Sequence, residues 1–213
     1  MKHDFWHQKW DKNEIGFHLP DANPLLVKHF PTLQIKQGAR VFLPLCGKTL
    51  DIAWLLSQGY QVAGAELSAL AIEDLFSNLK LTPTIKNIGE ITHYSATNID
   101  MFVGDIFKVT PAMLGNVDVV YDRAALVALP EEMRKQYSKH LMNLTNKAPQ
   151  CLICFEYDQN LHAGPPFSIC ANEVEQHYES TYELALLASE IMPNGLKGQY
   201  PTTEQVWWLK PLS

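Results

Sequence analysis

Residues 40–68, RVFLPLCGKTLDIAWLLSQGYQVAGAELS, decide the fold. Arg40 to Leu45 is a short apolar run of the kind that makes a buried strand, and Leu45-Cys46-Gly47-Lys48 is a tight turn. From Thr49 to Gln58 the apolar residues Leu50, Ala53, Trp54 and Leu56 recur at helical spacing, and Gly59 stops the helix. Tyr60 to Ala65 is a second apolar run, and it closes on an acid, Glu66. Strand, turn, helix, strand and acid make the first half of a nucleotide-binding βαβ unit. Its turn brings backbone close to a ligand beside a helix N-terminus, and its acid can accept hydrogen bonds from ribose hydroxyls.

The turn is not that of a dinucleotide site. A pyrophosphate needs the bare backbone of G-x-G-x-x-G at the helix N-terminus. Here a single glycine follows Pro44, Leu45 and Cys46. Proline lacks an amide donor, and Leu45 fills the space a phosphate would need. The pattern suits a ligand with ribose and adenine but no phosphate, of which S-adenosylmethionine is the commonest. The alternative is an α/β domain with no ligand at this turn.

Working outward, the remaining chain alternates strands and helices. Phe5 to Trp10 reads as a short aromatic helix, Glu14 to Pro24 as loop, and Pro24 to Phe30 as a short helix before Pro31. Ser68 to Lys80 is a helix capped by Ser68. Thr84 to Tyr94 is ambiguous and reads as a hairpin at best. Asp100 to Val103, Asn116 to Tyr121 and Gln150 to Tyr157 are strands, with a helix from Pro130 to Leu144 carrying Glu131 and Glu132 in its first turn, where the dipole favours acids. Asn172 to Glu179 is a helix, and Glu183 to Ile191 and Glu204 to Lys210 are final strands. The connection between these last two, Met192 to Pro201, is too short for a parallel crossover, so one of them is antiparallel. The expectation is an α/β fold, a mostly parallel seven-stranded sheet with helices on both faces, as in Rossmann-like class I methyltransferases. A single domain covers residues 1–213, with 1–30 as a segment over the active site.

Composition narrows the partners. The 213 residues are 46% hydrophobic and 19% charged, with a net charge of −6. No Lys/Arg cluster offers a nucleic-acid footprint, so a small, neutral or amphipathic substrate is expected. No apolar run reaches the roughly 20 residues of a membrane span, and Met1 to Glu14 lacks the apolar core of a secretory signal. A cytoplasmic monomer is expected. Cys151-x-x-Cys154 lies in a strand, which sends its thiols to opposite faces, and no second pair completes a zinc site. With Cys46 and Cys170 these read as free thiols. His3 and His7 have metal spacing but no third ligand, so no metal is expected. Neither a G-x-S-x-G nor a P-loop is present.

Ligands of such sheets bind beyond the carboxyl ends of the strands. There fall Leu45-Cys46-Gly47, Glu66, Asp105-Ile106, Asp122-Arg123 and Glu156-Tyr157-Asp158. Glu66 is the candidate ribose ligand, or else a solvated acid. Asp105 could accept from an adenine amino group or merely cap its turn. Arg123, always charged and planar, could hold a cofactor carboxylate or steady an anionic substrate, with Asp122 orienting it; a structural ion pair is the alternative. The aromatics Phe5, Trp6, Trp10 and Phe17 either staple the N-terminal segment down or cover a cleft.

At these residues the chain resembles a known family. FWHQKWDKNEIGFH (residues 5–18), NPLL (23–26), VFLPLCGKTLDIAWLLSQGYQVAGAELS (41–68) and YDRAALVALP (121–130) together are similar to the bacterial members of the thiopurine S-methyltransferase family. The resemblance implies transfer of a methyl group from S-adenosylmethionine to the sulfur of thiopurines and other aromatic or heterocyclic thiols. Selenium or tellurium oxyanions are further acceptors to consider. It also implies that Trp10, Leu45, Glu66, Asp105, Ile106 and Arg123 hold the cofactor and that Phe17 lines the substrate side. Arg123 with Asp122 is expected to steady the thiolate. Where some relatives carry a substrate arginine near the C-terminus, Met192 to Tyr200 has only Lys197, and that role is not carried over. Two competing functions remain open at this point: methyl transfer to a halide, oxygen or nitrogen acceptor, and a cofactor-binding sensor without turnover.

Overall fold

The computed structural model describes residues 3–12, 14–16 and 18–212, with His3 by its backbone alone. The chain divides into two compact units, Met1–Val119 and Val120–Ser213. Nine strands form among the described residues, two more than the seven expected, and α-helices flank them in an α/β, Rossmann-like arrangement. The two extra strands are the hairpin that the sequence left ambiguous.

In the first unit the strands are β1 (Arg40–Pro44), β2 (Gln61–Glu66), β3 (Thr84–Ile88), β4 (Ile91–Ala96) and β5 (Ile99–Val103). Their order is β3-β4-β5-β2-β1. β1, β2 and β5 are parallel, with Pro44 opposite Ala65 and Ala65 opposite Phe102. β4 runs against both β3 and β5. Val62 to Ala65 are all buried, as a parallel strand covered on both faces requires. Gly64 is needed for space: a Cβ there would lie 2.6 Å from Met101 Sδ and 2.8 Å from Cys46 Sγ.

The helices of this unit are α1 (His3–Asp11), α2 (Pro24–His29), α3 (Leu50–Ser57), α4 (Ala69–Leu79) and the single turn α5 (Pro111–Leu114), which the sequence did not signal. Ser68 caps α4 by accepting from the Ala71 N–H at 3.2 Å, as expected. Pro31 does not end the chain's helical path after α2, because a 3-10 turn, Phe30–Leu33, absorbs it. The acid of the turn-and-helix motif, Asp51, is buried. Its carboxylate accepts the Asn23 backbone N–H at 2.6 Å, while the Asn23 side chain accepts from Leu25 at 2.8 Å to cap α2.

The second unit contains β6 (Val119–Arg123), which starts one residue before the division, β7 (Gln150–Tyr157), β8 (Tyr182–Ile191) and β9 (Thr202–Pro211), in the order β6-β7-β9-β8. β6 and β7 are parallel, and β9 is the antiparallel strand of the final pair. The strand expected at Asn116–Tyr121 is shifted. Asp118 instead exchanges hydrogen bonds with Arg40, its N–H donating to Arg40 O at 3.0 Å and its Oδ2 accepting from Arg40 N at 2.7 Å. The ladder starts at Val119 and takes in Asp122 and Arg123. Helices α6 (Glu131–Leu144) and α7 (Ala171–Tyr178) are joined by the Arg134–Glu173 pair, with Nε–Oε1 at 2.5 Å and Nη2–Oε2 at 3.2 Å. Cys151 and Cys154 are buried free thiols, and Cys46 and Cys170 are also free. Among the described residues no helix is long and apolar enough to cross a membrane.

Candidate functional site

The parallel register of β1, β2 and β5 brings three chain segments to one end of the first unit: the turn at 45–48, Glu66 to Ser68, and Gly104 to Ile106. The ladder runs on past the strands, with Cys46 N–H donating to Ala65 O at 3.0 Å and Gly104 N–H to Glu66 O at 2.9 Å. The turn itself is tight. Leu45 has φ of 47° and Gly47 φ of 53°, both left-handed. For a leucine that conformation costs about 1–2 kcal/mol, a strain that concentrates at functional turns.

Glu66 is the centre of this arrangement. Its carboxylate, 6% exposed, accepts the Gly47 N–H on Oε2 at 2.8 Å and the Ser68 N–H on Oε1 at 2.9 Å. Burial pushes its pKa above the ordinary value, opposed by those backbone N–H groups and that of Leu67. Glu66 is therefore not a solvated acid but a fixed one that ties the turn of β1 to the start of α4.

Trp10 packs on the same turn. A Cβ on Gly47 would lie 2.9 Å from Trp10 Cζ2, so only glycine allows the indole this close. Lys48 Nζ stands 5.8 Å from the centre of a Trp10 ring and pairs with Asp74 of α4 at 2.8 Å. Sequence reasoning gave no role to Lys48 or Asp51. Cys46 is buried and its thiol is pushed well up by burial and by Glu66, so it packs and does not attack.

At the end of β5, Asp105 Oδ1 accepts the Phe107 N–H at 3.0 Å and starts a 3-10 turn at Ile106–Lys108. The cap role is thus realised for Asp105, and Ile106 is buried beside it. Phe17, the expected substrate residue, lies outside the described residues.

In the second unit, Asp122 and Arg123 are consecutive on β6, so they project to opposite faces. Asp122 is fully buried; its Oδ2 accepts the Tyr137 hydroxyl at 2.6 Å and its Oδ1 the Leu126 N–H at 3.1 Å. Burial raises its pKa to about 6 against the lowering effect of those bonds. The Asp122 carboxylate thereby holds the turn that follows the strand. Arg123 is partly exposed at the strand end, and Ala124 after it has φ of 63°.

The donor and acceptor set at the β1 and β2 ends fits an adenosyl group without phosphate. An ionised carboxylate offers about four lone-pair positions. The N–H groups of Gly47, Ser68 and Leu67 draw on these, and the capacity that remains can accept from a ribose hydroxyl. Pro44 supplies no N–H, and Leu45 stands where a pyrophosphate would need bare backbone.

Comparison with known proteins identifies the family of the chain. The family model described as Thiopurine S-methyltransferase (TPMT) matches residues 1–204. A thiopurine S-methyltransferase of Xanthobacter autotrophicus is 54% identical over 99% of this chain and 99% of its own length. One of Teredinibacter turnerae is 49% identical over 98% and 97%. Among solved structures, a SAM-dependent methyltransferase from Anabaena variabilis has a TM-score of 0.63 at 18% identity, covering 99% of this chain and 95% of that one. The 1,6-didemethyltoxoflavin-N1-methyltransferase of Burkholderia thailandensis has a TM-score of 0.65 at 14% identity, with 97% and 86% covered. At such identities the two structures speak for the fold alone. The family model and the close relatives go further, and the chain belongs to the thiopurine S-methyltransferase family.

Proposed function

We propose that this protein transfers the methyl group of S-adenosylmethionine to the sulfur of thiopurines and other aromatic or heterocyclic thiols. The observation that carries the proposal is the buried Glu66 carboxylate, held by the Gly47 and Ser68 N–H groups beside Trp10 in a chain of this family. Glu66 takes the ribose hydroxyls, Trp10 and Leu45 flank the cofactor, and Asp105 and Ile106 border the adenine. Arg123 holds the cofactor and steadies the acceptor's thiolate before its charge is consumed in the transfer, through its planar donors. Phe17 lines the acceptor side, and residues 1–30 cover the site; unchanged protease cleavage near Trp10 on adding ligand would refute that cover.

When bound, the cofactor supplies a methyl carbon on a positively charged sulfur, ready for in-line displacement. The chain's residues need only align the acceptor and exclude water, because aromatic thiols ionise readily and lose their proton to solvent. The buried cysteines support this division of labour. Burial lifts the thiols of Cys46, Cys151 and Cys154, so none of them is a nucleophile at neutral pH. Reduced, buried thiols also suit a cytoplasmic enzyme, working as a monomer on a small molecule.

The test is calorimetric titration with S-adenosylhomocysteine, followed by a methyl-transfer assay on an aryl thiol. Binding with turnover is the expected result. Binding with turnover only on halide, oxygen, nitrogen or metalloid acceptors would replace the thiol assignment. Binding with no turnover at all would make the protein a sensor. Absence of binding would remove the site at Glu66.

A further inference from the structure

Asp122 is an unusual residue to find where it is. It is fully buried, yet an asparagine could accept the same Leu126 N–H. What a carboxylate adds is a second strong acceptor, and the Tyr137 hydroxyl uses it at 2.6 Å. Tyr137 comes from the middle of α6 and is itself fully buried. The carboxylate faces the first residues of a turn that begins with left-handed Ala124, at φ of 63°, directly after Arg123. Beyond it, Ala128 N–H donates to Ala125 O at 3.0 Å and Leu129 N–H to Leu126 O at 3.2 Å. The far end is held by Arg134, whose Nη1 donates to Leu129 O at 2.8 Å. The turn is thus clamped at both ends by α6: through Asp122 at the start and directly at the finish.

We propose that Tyr137 is a positioning residue for methyl transfer, acting through Asp122, whose carboxylate fixes the turn that presents Arg123. The inference rests on the role given to Arg123 under the proposed function. The clamp works while Asp122 is ionised. Protonation turns the charge-assisted bond into a neutral one, in which the acid O–H can donate back to the Tyr137 oxygen, so the clamp weakens while the Leu126 N–H keeps its acceptor. The groups facing Asp122 are Tyr137 from α6, Tyr178 from α7 and Cys151 and Cys154 from β7. Burial lifts all four, Cys151 to about 12, so each stays neutral through mildly acidic and neutral pH. Asp122 is the member of the cluster that titrates there. The Tyr137 hydrogen bond favours its charged form, so losing that bond moves the titration upward.

The experiment compares wild type, Tyr137→Phe and Asp122→Asn by kcat/KM from about pH 5.5 to about 8.5, with one thiol acceptor so that its own ionisation cancels in the ratio. Tyr137→Phe removes the bond to Asp122 at every pH, so it is expected to lower kcat/KM at the alkaline end as well as on the acid limb. It should lose about ten-fold on the acid limb for each unit by which the limb moves up. Asp122→Asn should lose that limb altogether. A ratio that is flat with pH in Tyr137→Phe, with its melting temperature lowered, would reduce Tyr137 to a packing residue and overturn the inference. If Tyr137→Phe is unfolded at the assay temperature, the limb of Asp122→Asn decides, and its persistence refutes the role of Asp122. A wild-type protein that binds no S-adenosylhomocysteine, or transfers no methyl, overturns the proposed function first and this inference with it.

Discussion

Replacing Glu66 with alanine separates a ligand-binding acid from a purely structural one. In the protein, both carboxylate oxygens are anchored by backbone N–H groups at 2.8 and 2.9 Å, and the group is 6% exposed. The anchors hold the carboxylate's remaining acceptor capacity rigid, so the ligand meets no cost of ordering it. Ribose hydrogen bonding lost from a charged acceptor, partly replaced by water, weakens binding by about 1–3 kcal/mol. That is about 5- to 150-fold in Kd for S-adenosylhomocysteine. The same substitution leaves the Gly47 and Ser68 N–H groups without their acceptor. Each orphaned donor costs about 1–3 kcal/mol, offset in part by no longer burying a charge. The assay is calorimetric titration well below the melting temperature, with a thermal melt in parallel. Glu66→Gln, which keeps one acceptor oxygen, should fall between wild type and Glu66→Ala. A folded Glu66→Ala protein that binds within about two-fold of wild type would refute the assignment, whatever its stability.

Three other outcomes follow from particular contacts. Gly64→Ala drives a Cβ into Met101 Sδ and Cys46 Sγ, so it should destabilise the chain by about 1–3 kcal/mol in urea melts and weaken cofactor binding by displacing the turn at Cys46; wild-type stability would show that those sulfurs move aside freely. Ala124→Gly relieves a left-handed alanine at φ of 63° and should raise stability by about 0.5–1 kcal/mol after glycine's own entropy cost, so a lower melting midpoint would mean that the methyl packs. Asp122 has a folded pKa of about 6 against its ordinary 3.8, so between those values the native state holds the extra proton. Its burial therefore opposes folding at neutral pH, and stability recovers by about 3 kcal/mol as pH falls from about 6 to about 4. Wild type minus Asp122→Asn in urea melts should show that rise, and a flat difference would refute the pKa. The rise also means that loss of activity on the acid limb is not acid unfolding driven by this group.

Much of the fold was legible in local pattern because its cause is local. Gln150–Tyr157 reads as a strand from its own apolar run, and Ser68 announces α4 through a cap that acts within one turn. The run from Arg40 to Glu66 shows its βαβ form because strand and helix differ in hydrophobic period and the two strands, close in sequence, pair with each other. Where a segment's partner is remote, the pattern failed. Asn116 to Asp118 precedes the apolar run of β6 without a break, but Asp118 is claimed by Arg40, far back in the chain. The hairpin Thr84–Ala96 has largely exposed β3 residues, and so lacks the apolar alternation that would have marked it.

By itself the sequence determined which chemistry was available: one glycine at the turn, a proline and a leucine in place of phosphate-binding backbone, and an acid at the end of the next strand. Those are matters of residue type and short spacing. Only the tertiary structure decided how the acids are used. Glu66 and Asp122 look alike as strand-end carboxylates in the sequence. In the fold, Glu66 is tied to the β1 turn, while Asp122 points to the opposite face from Arg123 and is held by a tyrosine on α6. The Asp122–Tyr137 pairing depends on how a helix packs on a strand, and no spacing along the chain encodes that distance.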